Sequence, residues 1–180
     1  MIYLFLADGF EEVEALTPLD YLRRCELPVK TVAVGESRLV TGSHGIPVTA
    51  DLTMDEVDPT RMEMLILPGG MPGTLNLEAS QPLLELIGDC AAQGKYLAAI
   101  CAAPSILGHM GLLRGRRATC YTGFEDQLTG AEVTGEPVER DGNIITARGA
   151  GVAGQFAFQL AEVLCGRERA DRLKASVLWA

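Results

Sequence analysis

Positive charge is scarce in this chain. Of its 180 residues, 15 are Lys or Arg against 24 Asp or Glu, a formal net charge of -9. A nucleic-acid partner would require a clustered basic surface, so none is expected. The one basic cluster, Arg114, Arg116 and Arg117, reads as a solvated turn. Histidine is rarer still, with only His44 and His109. The five cysteines, at positions 25, 90, 101, 120 and 165, contain no Cys-x-x-Cys pair. Neither a metal centre nor a disulfide framework is therefore expected, and separated thiols in odd number fit a reducing compartment. No apolar run is long enough to cross a bilayer, and the Met1-Ile2-Tyr3-Leu4-Phe5-Leu6 start lacks a charged leader region and cleavage site. The expectation is a cytoplasmic chain with no membrane partner. The glycine-rich run Pro68-Gly69-Gly70-Met71-Pro72-Gly73 is followed by no Gly-Lys-Ser/Thr and lacks the GxGxxG spacing, so nucleotide binding is not indicated.

What is present is an ordinary globular composition, 48% hydrophobic and 22% charged, in a length that suits one domain over residues 1–180 with a core that needs no disulfide or metal. Strand and helix signals alternate. Met1 to Leu6 reads as a buried strand, followed by a turn at Asp8-Gly9 and a helix from Glu11 to Arg24. Pro18 should bend that helix or restart it at Thr17. Val29 to Val34 is a second strand, and Arg38 to Val40 with Ile46 to Thr49 form a small hairpin. Met64 to Leu67 is a buried strand that ends in the glycine-rich turn, and Gln81 to Gln93 is a helix. Tyr96 to Ile100 is a strand and Pro104 to Leu113 a helix. Beyond them come a short strand at Arg117 to Cys120, a helical turn at Phe124 to Leu128, a hairpin across Asp141-Gly142, and helices over Val152 to Leu164 and Glu168 to Leu178. Such alternation predicts a mainly parallel sheet covered by helices on both faces, with ligands beyond the carboxyl ends of the strands.

That rule gathers three loops at one edge: the turn after the first strand with Glu14 in the helix behind it, the Pro68 to Gly73 turn, and Cys101. The cysteine sits where a strand runs directly into a helix, with Pro104 suited to the first turn. Unpaired N–H groups and the positive helix end aimed at the sulfur would favour a thiolate. A buried cysteine acting as a small hydrophobe is the alternative, but the corner and the small Ala102-Ala103 pair favour a chemical role. Glu14, one turn into its helix, can reach back over the strand ends, while Glu11 and Glu12 can face water. Shielded beside the sulfur, Glu14 would keep its proton at neutral pH and donate to it. Otherwise it is one more solvated carboxylate at an acidic helix start. Gly149-Ala150-Gly151 reads as close packing of the following helix or an anion site, and Arg148 as a substrate-carboxylate partner or, in preference, a structural ion pair.

The runs Asp8-Gly9-Phe10-Glu11-Glu12-Val13-Glu14-Ala15, Leu67-Pro68-Gly69-Gly70-Met71-Pro72-Gly73, Ala99-Ile100-Cys101-Ala102-Ala103-Pro104 and Thr146-Ala147-Arg148-Gly149 together resemble the DJ-1/ThiJ/PfpI superfamily, in its DJ-1 branch, across almost the whole chain. The resemblance implies a flavodoxin-like α/β sandwich with Cys101 on a strained nucleophile elbow. It implies Glu14 hydrogen-bonded to that cysteine and Gly69 and Gly70 lining the pocket. It also implies a homodimer, built with the first long helix and the segment near His44. Many relatives place a histidine beside the cysteine. Here the matching positions hold Ala102 and Cys120, so a Cys-His-acid peptidase or amidase is poorly supported.

Without histidine, the thiol and the neutral carboxyl suit addition to a small reactive carbonyl, with no cofactor. Gly70 and Ala102 N–H groups would meet the oxyanion, and Glu14 would move a proton between adjacent carbons. This is the glutathione-independent glyoxalase reaction associated with the family, methylglyoxal to lactate or glyoxal to glycolate; a deglycase activity would use the same thiol and pocket. The other expectation is non-enzymatic. Cys101 would sense oxidants in a stress-responsive or chaperone protein, and Cys120 would serve either as a second thiol resolving its sulfenic acid or as packing.

Overall fold

The computed structural model describes residues 1–179. In chain order the elements are β1 (Ile2–Leu6), α1 (Glu12–Arg24), β2 (Val29–Ala33), β3 (Leu39–Thr41), β4 (Pro47–Thr49), β5 (Leu52–Thr53), β6 (Met64–Leu67), α2 (Gly73–Glu78), α3 (Gln81–Ala92), β7 (Tyr96–Ile100), α4 (Pro104–His109), β8 (Arg117–Ala118), β9 (Glu132–Val133), β10 (Val138–Asp141), β11 (Ile144–Ala147), α5 (Ala153–Cys165) and α6 (Arg167–Ser176). Seven strands form the central sheet in the order β10-β11-β7-β6-β1-β2-β5. All neighbours are parallel except β10, which returns antiparallel beside β11.

All five residues of β1 are buried, as an interior strand of a parallel sheet with both faces covered requires. Successive side chains point to opposite faces, and the core divides accordingly. Ile2, Leu4 and Leu6 join one apolar cluster with residues of α1, α5 and α6. Tyr3, Phe5 and Ala7 join the other with residues of α3 and α4. The result is the parallel sheet covered on both faces that the alternation of elements predicts, in the flavodoxin-like α/β arrangement that the resemblance implies.

Chain order reverses around β1, since β2 lies on one side of it and β6 on the other. At such a switch point the loops leaving the carboxyl ends diverge and leave a crevice. The turns after β1, β6 and β7 meet there.

Several local expectations need correction. Pro18 does not restart the first helix at Thr17; α1 runs unbroken through it. Proline removes a single main-chain bond, leaving the Glu14 carbonyl without its helical donor. Burial of Ala15, Pro18, Leu19 and Leu22, with α1 packed along α5, outweighs that loss. Helix α2 was not signalled by any apolar periodicity. The helix after Cys101 ends at His109 rather than Leu113, and the strand expected over Arg117 to Cys120 is confined to β8, which pairs with β9 outside the main sheet. The hairpins β3–β4 and β10–β11 form where the turn residues place them.

Candidate active site

Cys101 follows directly on β7 with φ 66, the left-handed region that costs an L-residue about 1–2 kcal/mol. Neighbours on both sides hold it there. Its own N–H donates to the Ala147 carbonyl at 2.9 Å, and its carbonyl accepts from the Tyr121 N–H at 2.8 Å. The side chain is half-buried, and the backbone N–H groups of Ala102 and Gly70 point at its sulfur. Gly70 has φ 91, and a Cβ there would collide with the backbone of Gly9, Phe10 and Glu11. Only glycine turns the chain toward the sulfur at that point.

Glu14 approaches from α1 and is 1% exposed. Its Oε2 accepts from the Gly69 N–H at 2.9 Å, the Ala150 N–H also donates to the carboxyl, and the Cys101 side chain lies within hydrogen-bonding reach. The loop after β11 closes the other side. A Cβ placed on Gly149 would sit 3.7 Å from Glu14 Oε1 and 3.9 Å from Cys101 Sγ. Gly149 and Ala150 thus belong to the site wall, a role that sequence reading divided between packing and anion binding. Beside them a cavity of about 360 Å³ is lined by Tyr121, Thr122, Pro137, Arg148 and Gly149. Arg148 is exposed and donates to Thr122 Oγ1 at 3.0 Å, a hydroxyl partner in place of the structural ion pair expected for it.

Burial pushes the Glu14 carboxyl up to about 7, against hydrogen bonds from Cys101 and the Gly69 and Ala150 amides, with a further upward push from the charge of Glu11. The direction is the one expected from its position, but a carboxyl at about 7 is divided between acid and carboxylate at neutral pH. The sulfur is different. Burial first, then the Glu14 charge and the hydrogen bond to it, push Cys101 up to about 12, and the Ala102 and Gly70 N–H groups recover only part of this. The expectation of a thiol acidified by the helix start is therefore corrected. Helix α4 has six residues, too short a dipole to outweigh desolvation beside a carboxylate. The two groups share protons. Ionised Glu14 holds the proton on sulfur, whereas protonated Glu14 removes that repulsion and turns an O–H toward it.

Glu11 and Glu12 do not both face water. Glu12 is 4% exposed. Its Oε1 accepts from the His44 N–H at 2.8 Å, and its Oε2 lies 2.8 Å from His44 Nδ1. Burial acts to raise the Glu12 carboxyl, but hydrogen bonds from the His44 ring and the Glu12, His44 and Ile46 amides outweigh it and hold it at about 2. The ligand atoms of Glu11, Glu12 and His44 lie within 4.8 Å of one another, a grouping that the linear spacing hid. Glu12 is already saturated by these hydrogen bonds. His109 is no part of the cysteine site; its ring bridges Glu78 and Gln127 on the surface.

Cys120 is 4% exposed and packed in the cluster with Ala103 and Ile106. Burial pushes its thiol up to about 11, an environment that fits packing better than thiol exchange. No helix among the described residues is long and apolar enough to cross a membrane.

Comparison with known proteins agrees with this fold. The sequence profile of the DJ-1/PfpI family matches residues 1–163. Protein DJ-1 homolog B of Arabidopsis thaliana is 36% identical over 174 residues, which is 96% of this chain but 40% of that protein's length. Deglycase PfpI of Pyrococcus furiosus is 38% identical over 152 residues, covering 82% of this chain and 90% of that protein. The solved structure of oxidised DJ-1 from Toxoplasma gondii superposes with a TM-score of 0.95 at 34% identity, covering 99% of this chain and 98% of that one.

Proposed function

The chain belongs to the DJ-1/PfpI family, and from that membership we propose a cysteine-dependent carbonyl-stress enzyme that converts 2-oxoaldehydes to 2-hydroxy acids or reverses early glycation without a cofactor. The observation that carries the reading is the Cys101–Glu14 pair, enclosed by the amides of Gly69, Gly70, Ala102 and Ala150. The name of the Pyrococcus furiosus relative, a deglycase, supports the same substrate class.

In the pair's singly protonated form, the Cys101 sulfur attacks the aldehyde carbon as its proton passes to Glu14. The oxyanion forms where the Gly70 and Ala102 N–H groups can meet it. Glu14 protonates that oxygen, then as carboxylate removes the former aldehyde hydrogen and returns it to the adjacent carbon, while the new hydroxyl gives up its proton to the neighbouring carbonyl oxygen, leaving a 2-hydroxyacyl thioester. Water cleaves the thioester, giving the hydroxy acid and regenerating the thiol. Glycated amines would enter by the same sulfur addition.

The test is lactate formation from methylglyoxal without glutathione or added metal, run beside a glycated-amine assay on wild type, Cys101→Ala and Glu14→Gln. Loss of at least a hundredfold in both variants for one substrate class supports the proposal. Wild-type rates in Cys101→Ala would end it.

A second reading, redox sensing at Cys101, is favoured by one observation: a structural relative is described as oxidised. A sulfinic acid on Cys101 could accept from the Gly70 and Ala102 amides and from protonated Glu14. Peptide mapping after peroxide tests it, and oxidation spread evenly over five cysteines would count against it. A homodimer through the outer face of α1 completes the proposal. Val13, 47% exposed, and Ile46, 50% exposed, border a shallow apolar groove with Leu16 and Tyr21 there. Sedimentation analysis of wild type and Val13→Glu tests it; a wild-type monomer at micromolar concentration would refute it.

A further inference from the structure

Cys25 and Cys165 lie 140 positions apart in sequence, yet the structure brings them together. Cys25 caps the C-terminal end of α1, where its N–H donates to the Tyr21 carbonyl at 3.2 Å. Cys165 is the last residue of α5, and its Sγ lies 3.1 Å from the Ala161 carbonyl. The two helices pack along each other, so their ends coincide and the two thiols become neighbours in the same cluster. Both belong to the same side of the core, around Leu22, Ala161 and Leu173.

The surroundings differ from those of the other cysteines. Cys90 and Cys120 are buried in the opposite apolar cluster, and Cys101 faces Glu14. Cys165 is half-buried, whereas Cys25 is 3% exposed but borders a surface cavity shared with Arg24, Glu26, Arg169 and Arg172. The Arg169 guanidinium, held 3.2 Å from Glu26, places positive charge beside the Cys25 sulfur and favours its thiolate. Burial and the neighbouring thiol push Cys25 the other way, up to about 11.

We propose that Cys25 and Cys165 are a redox-active thiol pair that closes to an intramolecular disulfide under hydroperoxide, separate from Cys101. A hydroperoxide oxidises the more exposed Cys165 thiol to a sulfenic acid, and its O–O bond breaks to release an alcohol or water. The Cys25 sulfur then attacks the Cys165 sulfur. The S–O bond breaks, and hydroxide leaves as water with the Cys25 proton. Two electrons pass from the two thiols to the hydroperoxide. The bond would lock α1 to α5 at the ends away from the pocket. The near ends of the same helices carry Glu14 and follow the Gly149-Ala150 wall.

The sequence makes the test direct. Trypsin releases Cys25 in residues 25–30 and Cys165 in residues 149–167, each as the only cysteine of its peptide. Native protein treated with hydrogen peroxide, alkylated and digested without reductant should yield these two peptides linked, and reductant should separate them. The link should persist in Cys101→Ser and vanish in Cys165→Ser. Closing so long a loop should also raise the thermal midpoint by roughly 5–10 °C, reversibly with reductant. The proposal is overturned if both peptides remain alkylated after treatment that oxidises Cys101. It is equally overturned if either sulfur goes to sulfinic acid without linking, or if the link joins separate chains.

Discussion

Gly69 donates its N–H to Glu14 Oε2 at 2.9 Å from a position where any side chain would strike that same oxygen. A Cβ there would stand 2.6 Å from Glu14 Oε2, 2.6 Å from Cys101 Cβ and 3.0 Å from the Ile100 carbonyl. The glycine thus sets how closely the acid and the thiol can approach.

Gly69→Ala should separate them. The clashing groups belong to a strand end and a buried carboxyl, neither free to swing away, so stability should fall by about 1–3 kcal/mol. Turnover of methylglyoxal, the substrate proposed above, should fall at least tenfold, because sulfur and carboxyl lose their mutual placement. Denaturant titration and initial rates measure the two effects; full activity with unchanged stability would contradict the geometry.

The pH–rate profile follows from the shared proton. Below about 7 Glu14 is protonated and cannot take the thiol proton; above it, the carboxylate can. The rate should rise through about pH 7 and hold toward alkaline pH, since the second proton leaves only near 12. Glu14→Gln should abolish the rise and slow the reaction by about 10²–10⁴-fold.

Stability should run the opposite way. Glu14 has its carboxyl raised in the fold, from 4.5 to about 7, so the native state binds the extra proton. Its contribution is full below about 4.5 and is lost as pH rises through about 7. Relative to wild type, Glu14→Gln should gain stability between pH 5 and 8, by up to about 3 kcal/mol. Melting curves at the two pH values measure it; an equal offset at both would be inconsistent with a buried ionising acid.

At the surface, Glu12 and His44 tie the β3–β4 hairpin to α1. The Glu12 carboxyl is lowered to about 2, so its contribution is present above 4.5 and lost as pH falls toward 2. The His44 ring is raised above 6.5 by its hydrogen bond to Glu12 and the charges of Glu11 and Glu12, so its contribution is present below 6.5 and lost as pH rises past the raised value. Proton NMR of the His44 ring should show this elevation, and Glu12→Gln should reduce it.

Trp179, the chain's one tryptophan, rests on Gly154 and stands edge-on to Phe158 with ring centroids 5.0 Å apart. A Cβ at Gly154 would come within 2.5 Å of the Trp179 ring. Gly154→Ala should therefore expel the indole, shifting its fluorescence to the red and losing about 1 kcal/mol of packing. An unchanged spectrum would place the ring elsewhere in solution.

The parts readable from residues were those whose cause is local. Buried apolar runs marked β1, β6 and β7, and Pro104 marked the helix start after Cys101. The restart expected at Pro18 did not occur because its cost is one main-chain bond, whereas the benefit of a continuous α1 comes from α5, more than a hundred residues away. The Glu12–His44 tie was invisible for a similar reason: 32 residues separate the partners, and acidic residues at a helix start are usually solvated.

The sequence by itself determined the succession of strands and helices, the corner at Cys101 and the acid on the helix behind β1, because each rests on side-chain pattern and turn chemistry within a few residues. Tertiary structure alone decided which groups are dry and which sulfurs meet. The proton on Cys101 is held by burial and by Glu14, and Cys25 faces Cys165 because α1 and α5 end together. Desolvation and charge act through space, so they are fixed only once distant segments have packed.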